Sequence, residues 1–301
     1  MKSLINKSAL IGLLTAAFAF VGLVQAEEVK QTHQGQTLNA NLVMAEGKNY
    51  ADEFVLLLHG TLTHKGRSTY TILQDNLALH GVSSLSINLS LGLNDRQGEY
   101  DCNVPHTHKH TDALDEVAIW LDWLKKQGAN KVTLMGHSRG GNQIAWFAAE
   151  HDRAQIDKVV LIAPATSEQQ SPEDYQKKYD KPLSSVLNKA QKLVDKGQAD
   201  QMMKNVDFIY CEKAQVTAGA FVDYYTAKPQ FDTPYLIKAP AKPTLVVVAS
   251  EDQAVPELPE RLVPLEDTPN LTIQTIDGAD HFFLDFFNED LATAAAEFIQ
   301  D

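Results

Sequence analysis

The run KVTLMGHSRGG at 131–141 sets Ser138 between Gly136 and Gly140, after a short apolar burst and before a segment of helical spacing. In a strand, sharp turn and helix, the glycines let the two elements approach closely, and Ser138 is held up at the helix start as an exposed nucleophile. A serine hydroxyl needs a base, and the base needs a third group to fix its tautomer. His281 in DGADHFF (277–283) is the candidate base, and Asp252 in ASEDQAVP (249–256) the candidate acid, with Glu251 its nearest competitor. The chain order is nucleophile, acid, base. Acyl transfer also needs donors for the oxyanion. LLLHGT (56–61) ends an apolar run in a His-Gly turn, so the backbone N–H of Thr61, or failing that Leu62, can join that of Arg139. The side chains of His137 and Arg139 are given no role.

A second cluster invites a metal. PHTHKHTD (105–112) places His106, His108 and His110 at alternate positions with Asp112 two further on, and on an extended backbone such residues point the same way. The run departs from an H-x-H-x-D-H ligand pattern, because His110 stands where the Asp should be and Thr111 where the next His should be. Ser138, His281 and two N–H donors already complete a metal-free mechanism. The expectation is therefore a polar loop that rims the pocket, without zinc, its imidazoles kept mostly neutral by mutual repulsion.

Short apolar runs at 54–58, 85–89, 132–135, 159–162, 245–248 and 271–276 read as strands, after a moderately apolar start at 37–44. Helical spacing covers 70–80 and 112–127, where Leu114, Val117, Leu121 and Leu124 share a face and Thr111 or Asp112 is the N-cap. Such alternation predicts an α/β fold with a mostly parallel sheet covered by helices on both faces. The alternating Ser86 and Asn88 of 85–89 are ascribed to tight helix packing over small side chains. Residues 165–238 break the rhythm with Pro172, Pro182, Pro229 and Pro234, an amphipathic segment from Leu183 to Met203, and several tyrosines. They are read as a helical cap above the sheet.

Through LLLHGT, GHSRG, ASEDQAVP and DGADHFF the chain resembles the α/β-hydrolase superfamily over about residues 50–165 and 240–300. The resemblance implies an eight-stranded, mainly parallel sheet and hydrolysis through an acyl-enzyme, without metal or organic cofactor. It implies a carboxylic-ester hydrolase acting on a small-molecule ester or acyl substrate. A thioesterase, amidase or peptidase uses the same residues, and a non-catalytic protein that kept the fold and binds metal through 102–112 is the rival from another class.

Lys2 and Lys7, an apolar run from Ala9 to Val24, and Val24-Gln25-Ala26 have the three parts of a secretory leader, so residues 1–26 are expected to be removed and 27–301 to form the domain, periplasmic or secreted. The run is too short for a membrane anchor. Lys and Arg number 26 against 39 Asp and Glu; without the two leader lysines the balance is 24 − 39 = −15, which disfavours nucleic acid. Cys102 and Cys211, an even pair in an oxidising compartment, make one disulfide plausible.

Overall fold

The structure, a computed structural model, describes residues 26–301; the leader assigned to 1–26 lies almost wholly outside them. Among the described residues ten strands form in chain order: β1 (Glu27–His33), β2 (Gln36–Val43), β3 (Phe54–Leu58), β4 (Ser83–Asn88), β5 (Val132–His137), β6 (Ile156–Ile162), β7 (Met202–Phe208), β8 (Cys211–Thr217), β9 (Thr244–Ala249) and β10 (Leu271–Ile276). The helices are α1 (Ser68–Leu79), α2 (Asp112–Gln127), α3 (Arg139–Glu150), α4 (Pro172–Tyr179), α5 (Leu183–Val194), α6 (Ala218–Tyr225), α7 (Thr233–Leu236), α8 (Leu258–Leu262) and α9 (Phe286–Gln300).

Eight strands make one sheet in the order β1-β2-β4-β3-β5-β6-β9-β10, antiparallel at β1-β2-β4 and parallel from β4 onward. The alternation of side chains builds a core on each face. Phe54, Leu56 and Leu58 of β3 join the cluster that holds Leu114, Val117, Leu121 and Leu124 of α2 and Ile144 of α3. Val55 and Leu57 join Tyr70, Leu73 and Leu77 of α1 and Leu291 and Ala295 of α9. A continuous apolar run is thus what a strand covered on both faces needs.

Three local features go beyond the expectations. β1 (EEVKQTH) has no apolar pattern because it is an exposed edge, bound along one side to β2. Thr111 occupies the N-cap of α2, but its hydroxyl and amide turn to Asp223 Oδ1 of α6 instead of the helix. The small polar residues of β4 are partners as well as packing: Ser83 Oγ accepts from Ala45 N, Ser84 Oγ from the Gln74 amide, and Asn88 Oδ1 from Arg96.

Between β6 and β9 the chain builds the cap. It is not helical throughout, for the amphipathic stretch ends as a helix at Val194 and from Met202 becomes the hairpin β7-β8. The hairpin is tied down twice: Cys102 and Cys211 are disulfide-bonded with Cα atoms 5.3 Å apart, and His106 N donates to Gln215 O while Thr217 N donates to His106 O.

Candidate active site

β5 ends at His137, α3 begins at Arg139, and the turn between them is Ser138 itself, at φ 56° and ψ −124°. That backbone is costly for a residue with a side chain and persists only where its surroundings over-determine it. Here Ser138 N donates to Ile162 O, and Ser138 O accepts from Asn142 N and Ala165 N. The glycines are required by contact: a Cβ on Gly136 would run into the Gly140 carbonyl, and one on Gly140 into the His59 carbonyl.

The turns after β9 and β10 bring the other two candidates to this point. His281 Nε2 is 2.9 Å from Ser138 Oγ, and His281 Nδ1 is 2.7 Å from Asp252 Oδ2. Asp252 Oδ1 accepts from Ala254 N and Val255 N at 2.7 and 3.0 Å. Burial pushes the Asp252 carboxyl up, but the imidazole hydrogen bond and charge and the two amides more than offset this, leaving it below the usual carboxylate value. An ionised Asp252 accepts a hydrogen bond from Nδ1–H, so Nε2 is the nitrogen left to accept from the serine. Glu251 is exposed, with its amide on Ala279 O; the nearer competitor is not brought in.

Thr61 stands beside the elbow, as its Oγ1 accepts from Arg139 Nε at 3.1 Å. Neither the Thr61 nor the Arg139 amide has an acceptor among the described residues. Leu62, the second choice, takes a left-handed φ of 55° and packs on the core.

Sequence reasoning missed the residues that hold these loops. The His281 carbonyl can only accept, so His137 Nε2 donates to it at 2.7 Å. Tyr70 Oη must then donate to His137 Nδ1 at 2.9 Å, and itself accepts from Gly60 N at 2.8 Å. One buried chain of bonds thus joins the His-Gly turn, the elbow and the loop of His281. Burial first, then the charge of His281, holds His137 down at about 3, so it stays neutral. On the other side of the turn, Arg96 spends its guanidinium on Leu89 O, Gly98 O, Thr63 O, Asn88 Oδ1 and His59 Nε2, at 2.7–3.1 Å. His59 Nε2 also accepts from Leu89 N, so its Nδ1 donates to Gly60 O. The only advance signal was Asn88, a polar residue in an apolar strand.

The histidine loop does not rim the cleft that His281 lines; Thr107, His108 and Asp112 line a separate, smaller pocket with Ser90 and Glu116. His106, His108 and His110 are at most 3% exposed, while Thr107 and Lys109 between them face outward. The extended backbone does put the three on one side, and that side is the core under the cap, because the loop pairs with the hairpin. His106 packs on Phe208 and Tyr100 with ring centres 4.7 and 5.1 Å apart, and His110 on Phe231 at 4.9 Å. None of their six ring nitrogens makes a hydrogen bond among the described residues; the one carboxylate within 4 Å of them there is Glu116, whose Oε1 lies 3.4 Å from His108 Nε2. Nor do three His, Cys, Asp or Glu side chains converge as a metal would require among those residues. Burial, more than mutual repulsion, holds His106 down at about 3 and His110 well below its ordinary value.

A cleft of about 900 Å³ opens between the cap and the loops of Asp252 and His281, with His281, Phe282, Tyr210, Glu173, Glu251 and Asp280 among its walls. This geometry can generate a serine nucleophile and offer it to a carbonyl bound beneath the cap.

Among solved structures, the chain is similar to Est1E from Butyrivibrio proteoclasticus, at 18% identity, 91% of this chain and 97% of that one, with TM-score 0.60. Est1E with bound ferulic acid matches at 20% identity over 90% and 98%, with TM-score 0.64. A Paleococcus ferrophilus monoacylglycerol lipase matches at 18% identity over 91% and 98%, with TM-score 0.58. No curated protein matches. At such identities the structures establish the α/β-hydrolase fold alone. Residues 50–289 match the family described as serine aminopeptidase, S33, and the chain therefore belongs to that family of α/β hydrolases.

Proposed function

We propose that the protein is an exported serine hydrolase that cleaves a small-molecule carboxylic ester through an acyl-enzyme. The observation that carries this reading is the chain of hydrogen bonds from Ser138 Oγ through His281 to Asp252. Ser138 attacks the carbonyl as His281 Nε2 takes its proton; the proton then passes to the leaving alcohol, and a water attacking the acyl-serine reverses the roles. Asp252 keeps the His281 proton on Nδ1 and stabilises the imidazolium. The Thr61 and Arg139 amides receive the oxyanion. Export is supported by the leader-like segment at 1–26 and by the disulfide, which persists in oxidising compartments.

A second reading, an aminopeptidase acting on a free N-terminal ammonium, is favoured by the acidic side chains Glu173, Glu251 and Asp280 around the cleft. Comparing p-nitrophenyl esters, thioesters and aminoacyl-4-nitroanilides separates them. The decisive test is labelling by a fluorophosphonate with peptide mapping: the adduct is expected on Ser138, and Ser138→Ala should lose on the order of 10⁶ in kcat while keeping its fold. Wild-type turnover in Ser138→Ala would refute the reading.

A further inference from the structure

Five arginines are present, at 67, 96, 139, 153 and 261. Arg67, Arg153 and Arg261 each pair with a carboxylate, and the buried Arg96 is saturated with acceptors. Arg139 has neither compensation. It is 6% exposed, directly follows Ser138 and extends under the cap. Its Nε donates to Thr61 Oγ1. Its two terminal nitrogens reach the Gln170 side-chain oxygen, once that amide is oriented with its oxygen toward them. The guanidinium carbon lies 5.5 Å from the centre of the Tyr224 ring. No carboxylate pairs with Arg139 among the described residues, and of its five N–H donors three are used.

Tyr224 is the second unusual group. Buried Tyr70, Tyr100, Tyr175 and Tyr225 all have a hydrogen-bond partner for the hydroxyl. Tyr224 is 2% exposed, and its hydroxyl has none among the described residues. A buried cation with spare donors, set on the ring of a tyrosine with a spare hydroxyl, beside the nucleophile, is the complement of an anion with two oxygens.

We propose that Arg139 and Tyr224 form a carboxylate-binding subsite, so that the substrate is an ester carrying a free carboxylate on the part held under the cap. This rests on the serine-hydrolase reading and names its substrate class. Two guanidinium N–H groups and the tyrosine O–H would donate to the carboxylate oxygens. The acidic residues of the cleft do not cancel this attraction: Glu168, Glu173, Glu251 and Asp280 are solvent-facing and screened by salt over roughly 8 Å, the half-buried Asp174 and Glu257 are engaged by Lys178 and by Thr166 and Gln169, and Arg139 acts in the interior, where pairing is stronger.

The test compares ethyl hydrogen adipate with ethyl hexanoate, which share a six-carbon acyl chain and differ in the terminal carboxylate. Wild-type kcat/KM should favour the adipate by about tenfold or more, the worth of one charge-assisted pair. Arg139→Gln should bring the ratio to about one, and Arg139→Lys, which keeps the charge but not the fork, should fall between. Loss of both rates by a common factor in Arg139→Gln, with the ratio kept, would mean that Arg139 only braces the cap, and would overturn the subsite. If Arg139→Gln does not fold, Tyr224→Phe decides: a ratio reduced about threefold or more supports the subsite, and an unchanged ratio overturns it. Turnover of hexanoate alone, or of neither ester by protein whose Ser138 takes the fluorophosphonate, overturns the subsite and leaves the hydrolase reading standing. Absence of both turnover and label removes the two together.

Discussion

Replacing His106 by Phe should make the protein less sensitive to acid. Four imidazoles, those of His59, His106, His110 and His137, are held below their ordinary value of 6.5, in each case first by burial. Their folded pKa is depressed, so above pH 6.5 they are neutral in both states and contribute nothing to the pH dependence. Below it the unfolded chain takes up protons that the folded one refuses, and stability falls until pH reaches the folded value, about 3 for His106 and His137. His106 and His137 each cost about 1.4 kcal/mol per pH unit, so roughly 2.7 kcal/mol between pH 6.5 and about 4.5. The two together remove about 5 kcal/mol over that span, and His59 and His110 act in the same direction, against the roughly 5–15 kcal/mol a typical domain possesses. Stability is therefore expected to fall steeply between about pH 6.5 and 4.5. His106→Phe removes one such proton and two unpartnered buried nitrogens, while keeping an aromatic ring against Tyr100 and Phe208. Urea unfolding followed by tryptophan fluorescence should show stability raised by roughly 1–2 kcal/mol at pH 7.5, and the loss between pH 6.5 and about 4.5 reduced by roughly 2.7 kcal/mol. Equal acid losses in the two proteins would refute the reasoning.

Asp252→Asn should cost roughly 10⁴-fold in kcat by favouring the wrong imidazole tautomer, and Glu251→Gln little; the reverse order in a p-nitrophenyl ester assay would mean that the wrong acid is assigned. His137→Phe breaks the bond to the His281 carbonyl and should lower kcat by about tenfold or more with KM nearly kept, since it displaces the base and not the binding surface; a change confined to KM would count against it. The disulfide spans 109 residues, worth at most about 4–5 kcal/mol on the chain-entropy model. Cys102→Ser with Cys211→Ser should thus lower Tm by up to about 8 °C, and an unchanged calorimetric midpoint would show that the hairpin's hydrogen bonds suffice.

Ser138, Asp252 and His281 were legible because each follows an apolar run and because acyl transfer dictates the residue types. The strands of the parallel core were legible for a related reason: burial on both faces leaves no room for polar side chains. The hairpin β7-β8 was not, since Lys204, Asn205, Glu212 and Lys213 face water and dilute its period. The histidines at 106, 108 and 110 show what alternation leaves open. It fixes that side chains share a side and is silent on whether that side meets solvent, metal or core. Arg96, Tyr70 and His137 lay beyond the sequence because their meaning arises only where three loops meet.

The Cys102–Cys211 link closes a covalent ring of chain that contains α2, the elbow with Ser138, α3, and the cap through β7. Asp252 and His281 lie outside it, on an open C-terminal arm made of β9, α8, β10 and α9 and held by noncovalent contacts alone. Wear on the molecule is therefore unequal. Fraying of the arm, or a single proteolytic nick beside Phe283 and Asp285, where the backbone takes left-handed turns, withdraws the proposed base, His281, while the ring keeps Ser138 and its roof. Inactivation and loss of structure become separate events, and a population of intact-looking, silent molecules should precede any unfolding.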